Sequence, residues 1–383
     1  MTEAERHSWI QLALTPYIGA ESFARLLTQY GSASAALSAP ADAIAQIGRH
    51  GKQAAEHWHD SSKARAAADA ALDWEQQNGC RLMLSCDADF PAALAEGIAP
   101  PPLLFLRGNP ELLQRPAVAM VGSRHATPQA MRIAREFGQA LSENGITVVS
   151  GMASGIDTAA HQGALSGAAG TIAVWGTGID RIYPAGNRSL AHEIAEKGLI
   201  ISEFPLGTRP LAGNFPRRNR IIAAQSQAVL VVEAALESGS LITARLAAEM
   251  GRDVMAIPGS IDNPQAKGCH KLIKDGAKLV ECLQDIADEL SYPKTASPVS
   301  GSLKHEKAEI PKPSTQLSTA PTAETANPSA AKLLSAMGYD PVHPDTLAQQ
   351  TGIPTADIYA QLTEWELDGI VAGMAGGRYQ RIK

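Results

Sequence analysis

Ala117-Val118-Ala119-Met120-Val121-Gly122-Ser123-Arg124 opens as an apolar run with no polar alternation and stops on a small, polar ending. The pattern returns four times downstream. Ile146–Val149 runs into Ser150-Gly151-Met152-Ala153-Ser154-Gly155-Ile156-Asp157, and Thr171–Trp175 into Gly176-Thr177-Gly178. Ala228–Val232 runs into Glu233, and Asp253–Ile257 into Pro258-Gly259-Ser260. Short apolar runs of this kind suit strands covered on both faces, with helical patterns between them. The expected class is α/β, with a doubly wound parallel sheet. Ligands of such open sheets bind beyond the carboxyl ends of the strands, so these endings should converge on one functional rim.

Upstream, residues 1–75 read as a helical module. Trp9, Leu12 and Leu14, then Phe23, Leu26 and Leu27, then Ile44 and Ile47 recur at helical spacing, with Gly19, Gly31 and Gly48 at turns. The outline is helix-hairpin-helix- or SAM-like, a type that often grips nucleic-acid backbones. It is short of Lys and Arg, so DNA contact and a packing role both stand. Leu82-Met83-Leu84 and Leu103–Leu106, with Pro91 and Pro100-Pro101-Pro102 between them, suit edge strands of an α/β domain over 80–290. Residues 291–328 are rich in Pro, Ser, Thr, Lys and Glu without periodicity and read as a disordered linker. In 329–383, helical stretches Ala330–Met337, Pro344–Gln350 and Thr355–Asp368 precede Ile370-Val371 and Tyr379–Ile382, which flank Gly373–Gly377. Three helices and a glycine-tipped hairpin outline a winged helix.

The 383 residues leave room for two or three domains and a full core. A net charge of −6 gives no global pull toward nucleic acid or anionic membrane, so any such binding needs a local basic patch. No apolar stretch is long enough to span a bilayer, and Met1-Thr2-Glu3-Ala4-Glu5 is unlike a signal peptide. Cys80, Cys86, Cys269 and Cys282 are scattered without zinc spacing. The reading is a cytoplasmic, reduced protein with no metal site and no membrane contact.

The rim itself excludes the commonest functions of its class. Dinucleotide binding needs Gly-x-Gly-x-x-Gly and an acid about 20 residues on, and neither stands after the first two strands. A P-loop, Gly-x-x-x-x-Gly-Lys-Ser/Thr, is also missing. Gly122-Ser123 and Gly151 through Gly155 sit at strand-to-helix turns, and read either as an anion cradle or as glycines making tight turns. Arg124 adds a planar fork for phosphate. Asn214-Phe215-Pro216-Arg217-Arg218-Asn219-Arg220 clusters three arginines beside an aromatic at a helix start. Arginine on phosphate with an aromatic under a base is the minimal kit for single-stranded nucleic acid. Cations there oppose the helix dipole, which favours an anion nearby over a merely solvated run. Ser238 or Ser240 reads as a helix cap or a phosphate ligand. Asp157 and His161, one turn apart, invite an acid/base reading, against which stand helix capping by Asp157 and local packing of His161. No activated nucleophile, carboxylate pair or metal cluster calls for catalysis.

Taken together, these segments resemble the DNA-processing protein A family (DprA, also called Smf). The resemblance rests on Val121-Gly122-Ser123-Arg124, Ser150–Asp157 with His161, Gly176-Thr177-Gly178 followed by Tyr183-Pro184, Phe215–Ala223, Val231–Ala234, Ser238–Ala244 and Gly251–Gly259. Their order and spacing hold over roughly Arg81 to Leu290. The resemblance implies an extended Rossmann-like fold, without cofactor or catalysis, that binds single-stranded DNA. It further implies protection of incoming DNA and loading of a RecA-type recombinase during natural transformation. The family's DNA pocket carries over to Gly122, Ser123, Arg124, Phe215, Arg217, Asn219 and Arg220. Gly151, Arg218, Ser238, Ser240 and Lys267 join them as DNA-binding candidates at the same rim. One departure is His270, where many members have Asn.

Two other classes remain open. A phosphoribohydrolase of the Lonely Guy type has a similar nucleotide pocket, but its Pro-Gly-Gly-x-Gly-Thr motif is replaced here by Ser238-Gly239-Ser240-Leu241-Ile242-Thr243. A nucleotide-sensing module without DNA affinity is the other. Pairing of family members, with Leu272, Ile273, Leu279 and Val280 in the segment from Gly268 to Leu283, leads to an expected homodimer. The recognition helix expected in the winged module, Pro354–Asp368, carries Asp357, Glu364, Glu366 and Asp368 and no Lys or Arg. Phosphate repulsion along it makes that module a protein-contact or regulatory element.

Overall fold

A computed structural model of the chain describes residues 1–58, 60–290 and 328–382, in two compact units, Met1–Leu290 and Ser291–Lys383. The linker expected over 291–328 lies, up to residue 327, outside the described residues. Six helices open the first unit: α1 (Glu3–Ala13), α2 (Ala20–Tyr30), α3 (Ala33–Leu37), α4 (Ala41–Ala45), α5 (Gly51–Trp58) and α6 (Ser62–Glu75). Strands β1 (Cys80–Leu84) and β2 (Leu103–Gly108), with α7 (Ala92–Ala95) between them, lead into the sheet. The alternating section follows as β3 (Ala117–Val121), α8 (Pro128–Glu143), β4 (Thr147–Ser150), α9 (Ile156–Ala164), β5 (Thr171–Val174), α10 (Arg188–Lys197) and β6 (Leu199–Ser202). It continues with α11 (Asn214–Ala224), β7 (Ala228–Val231), α12 (Ser240–Glu249), β8 (Asp253–Ala256), α13 (Lys267–Lys274), β9 (Lys278–Leu279) and α14 (Leu283–Glu289).

The sheet order is β1-β2-β6-β5-β4-β3-β7-β8-β9. Strands β3 to β9 are parallel, while β1 and β2 add antiparallel pairs at the β6 side. The five runs read from the sequence are all strands of this sheet. The parallel section is larger than those runs alone, because β6 and β9 join it. Each was hidden by brevity: Leu199-Ile200-Ile201 is a three-residue apolar run and β9 spans two residues.

Alternation along β3 shows why the sheet is doubly wound. Ala117, Ala119 and Val121 pack with Ile221, Ile222, Ala244 and Ala247 of α11 and α12. Val118 and Met120 pack on the other face with Ala134, Leu141, Ala160 and Ala164 of α8 and α9. Helix α8 starts where Thr127 accepts a hydrogen bond from the Ala130 N–H, with Pro128 in the first turn. The N-terminal helices share a core with the sheet edge: Phe23, Leu26 and Trp74 join Leu82, Leu103 and Phe105. The Trp9 indole donates to the Pro102 carbonyl at 2.9 Å, and the Trp74 and Phe105 rings meet edge-on at 5.4 Å.

The second unit holds α15 (Pro328–Met337), α16 (Pro344–Thr351), α17 (Thr355–Leu367) and the hairpin β10 (Val371–Met374)–β11 (Arg378–Arg381). Leu333, Leu347, Ile358, Leu362, Trp365 and Val371 form its core. This is the winged-helix outline, with Gly376 and Gly377 at positive φ in the wing tip. The Glu366 carboxylate accepts from the Gly373 N–H at 2.9 Å and so holds the wing to α17.

Candidate functional site

Chain order along the parallel section runs outward from β3 through β4, β5 and β6, then returns to β7 on the other side of β3. Neighbouring connections therefore leave the carboxyl ends of β3 and β7 in opposite directions, which opens a crevice between them. A cavity of about 720 Å³ lies there, lined by the turn after β3 (Gly122, Ser123, Arg124), the start of α11 (Phe215, Asn219) and the start of α12 (Ser240). A small annex of about 50 Å³ extends it past Gly151 and Trp175.

The walls are built from aromatic, cationic and helix-terminal groups. The Arg124 guanidinium carbon stands 5.4 Å from the Phe215 ring centroid, and Tyr183 approaches the same ring at 5.6 Å. A Cβ at Gly176 would sit 2.9 Å from Phe215 Cδ1, so this ring position requires glycine there. Helices α11 and α12 begin at Gly213 and Gly239, neither of which offers a capping side chain. Their uncapped N-termini favour an anion at the cavity. The Asn219 amide donates to the Gly239 carbonyl at 3.4 Å, tying the two helix starts together. Ser238 and Ser240 bond each other at 2.7 Å; Ser240 is the first residue of α12 and neither serine is its cap.

At the glycine turn after β4 the structure favours tight-turn glycines over an anion cradle. The Gly151 and Ala153 N–H groups donate to Asp157 Oδ2 at 3.1 and 3.2 Å, so the protein's own carboxylate takes these two donors. Asp157 thus shapes the turn and caps nothing, the helix beginning at Gly155 without a side-chain bond. Burial raises the Asp157 pKa, and the nearby Arg218 charge and the two N–H bonds pull it back. Glu233 is likewise engaged. Its carboxylate accepts from the Thr127 N–H at 3.0 Å and the Thr127 hydroxyl at 2.7 Å, and its carbonyl accepts from the Ser123 N–H at 2.7 Å.

Three arginines that look alike in the sequence part company in space. Arg218 is 4% exposed and donates to the carbonyls of Gly151 and Val174 at the ends of β4 and β5. Desolvation lowers its pKa to about 10, with Asp157 opposing and Arg124 adding to the drop, so it stays a cation at neutral pH. Its guanidinium fills the space a Cβ at Gly151 would need. The expectation of a DNA-contacting Arg218 is corrected accordingly: it is a buried strut under the cavity. Arg220 lies elsewhere: its side chain, 13% exposed, pairs with Glu203, itself 7% exposed, outside the lining of this cavity and in that of a second groove. Arg217 is exposed but stands over Phe204 at 5.3 Å, on the other flank of α11. Lys267 does not line the cavity either; its Nζ donates to the Ile261 carbonyl.

Of the twelve candidates, Gly122, Ser123, Arg124, Phe215, Arg218, Asn219, Ser238 and Ser240 meet at the cavity, and Gly151 at its annex. The sequence reading left out Tyr183, Gln265 and Thr243, which also line it. Tyr183 was visible only as part of Tyr183-Pro184, with no charge beside it to mark a ligand. His270 bonds the Gly259 carbonyl at 2.9 Å, away from the lining residues.

His161 is fully buried, with Nδ1 bonded to the Thr171 hydroxyl at 2.7 Å, and burial with Arg218 nearby lowers its pKa to about 3. It is therefore a neutral structural residue. The folded pKa lies below the unfolded value, so protons favour the unfolded chain between the two. Stability is lost as pH falls from about 6.5 toward 3, at about 1.4 kcal/mol per pH unit from this group. Urea unfolding of His161→Gln should show a flatter pH dependence than the parent between about pH 7 and pH 5. Equal slopes in both proteins would count against a buried neutral His161.

Three family profiles cover most of the chain: "DNA recombination-mediator protein A" over residues 81–291, "DprA-like N-terminal HHH domain" over 3–68 and "DprA winged helix domain" over 318–377. Protein Smf of Escherichia coli is 38% identical over 325 residues, 83% of this chain and 82% of its own length. DNA processing protein DprA of Streptococcus pneumoniae is 48% identical over 206 residues, 54% of this chain and 73% of its own. The X-ray structure of the Streptococcus pneumoniae protein superposes with a TM-score of 0.64 at 39% identity, covering 76% of this chain and 99% of that one. DNA processing protein A of Helicobacter pylori, solved for its unique single-stranded DNA binding mode, superposes with a TM-score of 0.51 at 31% identity over 55% of this chain and 95% of that one.

Proposed function

Since the chain belongs to the DNA recombination-mediator protein A family, whose members include DprA and Smf, we propose that it binds single-stranded DNA in the β3/β7 crevice and acts there without catalysis. The carrying observation is the Arg124–Phe215–Tyr183 cluster beside two uncapped helix N-termini. A base on the aromatic rings and a phosphate on Arg124 and the helix starts satisfy the sequence-tolerant chemistry of single-strand binding. The single-stranded DNA mode described for the Helicobacter pylori relative supports the same reading. The function that follows is that of a cytoplasmic mediator that shelters incoming DNA and hands it to a RecA-type recombinase in transformation.

The hydrolase alternative is the weaker one. Asp157 and Glu233 have their carboxylates engaged by backbone and threonine donors. Glu237, on the cavity wall, is exposed. None is held as a general base against a sugar. Gel shifts with single-stranded DNA, duplex DNA and a nucleoside monophosphate decide among the readings. Preference for the single strand, nearly independent of sequence, is expected. Tight mononucleotide binding without oligonucleotide affinity, or release of free base, would refute the proposal.

The homodimer is proposed through the α13–β9 edge, where Leu279 is 39% exposed and Leu272 and Ile273 are half-buried. Val280 is fully buried in the core and is withdrawn from that surface. The winged unit is proposed as a protein-contact or regulatory element, since α17 carries Asp357, Glu364 and Glu366 and no base. Truncation after Leu290 should leave single-strand affinity within about threefold of the full chain. A loss of about tenfold or more would show that the acidic helix misled.

A further inference from the structure

Arg217 and Arg220 are three residues apart on α11, whereas Phe215, Asn219 and Ile222 fall on the opposite flank. A rotation of about 100° per residue makes this split inevitable, and α11 becomes a ridge between two depressions. Beyond the ridge lies a second groove of about 680 Å³, walled by Arg217 and Arg220 on one side and by Arg25 of α2 with Tyr17, Arg49 and His50 of the connections between the N-terminal helices on the other. Among the described residues no carboxylate lies within 4 Å of Arg25, Arg49 or Arg217. The charge of Arg220 is met by Glu203, and Glu21 is the one acid in the lining. Tyr17 is 51% exposed and its ring stacks on His57 at 5.5 Å with a 9° interplanar angle, which holds the free face in place.

This groove repeats the kit of the crevice: unpaired guanidinium groups, an exposed aromatic platform and a glycine-led turn. Gly19 opens α2 there without a capping side chain. In a chain of net charge −6, three unpaired arginines converging from two distant segments define a local anion site. We infer that the groove receives the phosphates, and one stacked base, of the same DNA strand as it leaves the crevice over the start of α11. The inference rests on the crevice holding single-stranded DNA. The N-terminal helices are then part of the nucleic-acid surface as well as packing for the sheet edge.

The test uses the full chain and fluorescence anisotropy with two oligothymidylates, one just filling the crevice (about 5 nucleotides) and one about 16 nucleotides long. Replacing both Arg25→Ala and Arg49→Ala should weaken the long oligonucleotide by about tenfold or more and leave the short one unchanged. The salt dependence for the long one should flatten by about 1.4 in log–log slope, two phosphates' worth. Arg25 also donates to the Ile47 carbonyl at 3.3 Å, so Arg49→Glu alone, which breaks no side-chain hydrogen bond or ion pair among the described residues, repeats the test if the double variant unfolds. Unchanged affinity and slope for the long oligonucleotide, while Arg124→Ala weakens both lengths, overturns the groove and keeps the crevice. Equal losses at both lengths overturn it as well. If Arg124→Ala changes neither length, the crevice reading falls and takes this inference with it.

Discussion

Arg124→Ala is expected to lower the affinity for single-stranded DNA by about 10- to 100-fold without unfolding the protein. Arg124 is exposed, carries no ion pair among the described residues, and stands over Phe215 where a base and its phosphate would meet. A hydrogen bond to a charged group contributes about 1.5–3 kcal/mol, and each 1.4 kcal/mol is about tenfold in affinity. The salt slope should flatten by about 0.7, the loss of one phosphate on a single strand. Phe215→Ala should cost about 1–3 kcal/mol of binding while leaving that slope unchanged, because stacking releases no counterion. Anisotropy at several salt concentrations separates the two. Full affinity in both variants would move the binding site away from the crevice.

Arg220→Ala should act on stability instead. Removing the guanidinium leaves the Glu203 carboxylate, 7% exposed, without its counter-charge. Breaking one side of a buried ion pair costs about 3–5 kcal/mol, chiefly the penalty on the partner left behind. In a unit of this size that is a fall of roughly 6–20 °C in melting temperature. Arg220→Met combined with Glu203→Leu should recover most of the loss, since two apolar groups leave no buried charge. The folded fraction of Arg220→Ala should bind a short oligonucleotide as the parent does. A variant with parental melting temperature and lost DNA affinity would reverse this assignment and make Arg220 a DNA ligand after all.

The contrast between these arginines marks the boundary between what the chain states openly and what folding adds. Apolar runs such as Ala117–Val121 and Ala228–Val232 carry their strand character locally, because a strand buried on both faces is built mainly of apolar residues. Their small, polar endings mark the rim for the same reason, and so the location of the crevice was legible from residues alone. So was the presence at its lining of Gly122, Arg124 and Phe215, whose positions follow directly from strand and helix starts. The winged-helix outline was legible in the same way, from helix lengths and a glycine-tipped hairpin.

The roles of Arg217, Arg218 and Arg220 were not. In sequence they form one basic cluster; on α11 they point to three environments. Arg218 turns down onto the carbonyls ending β4 and β5, Arg220 turns to Glu203, and Arg217 stays in solvent. Burial, and with it whether a charge is available to a ligand or spent inside the fold, depends on partners from segments far away in the chain. Asp157 shows the same dependence: only the folded turn brings the Gly151 and Ala153 N–H groups onto its carboxylate. The sequence by itself determined the strands, the rim and the kinds of group gathered there. Tertiary structure alone decided which of those charges face the cavity, because desolvation and pairing are set by neighbours that no local pattern names.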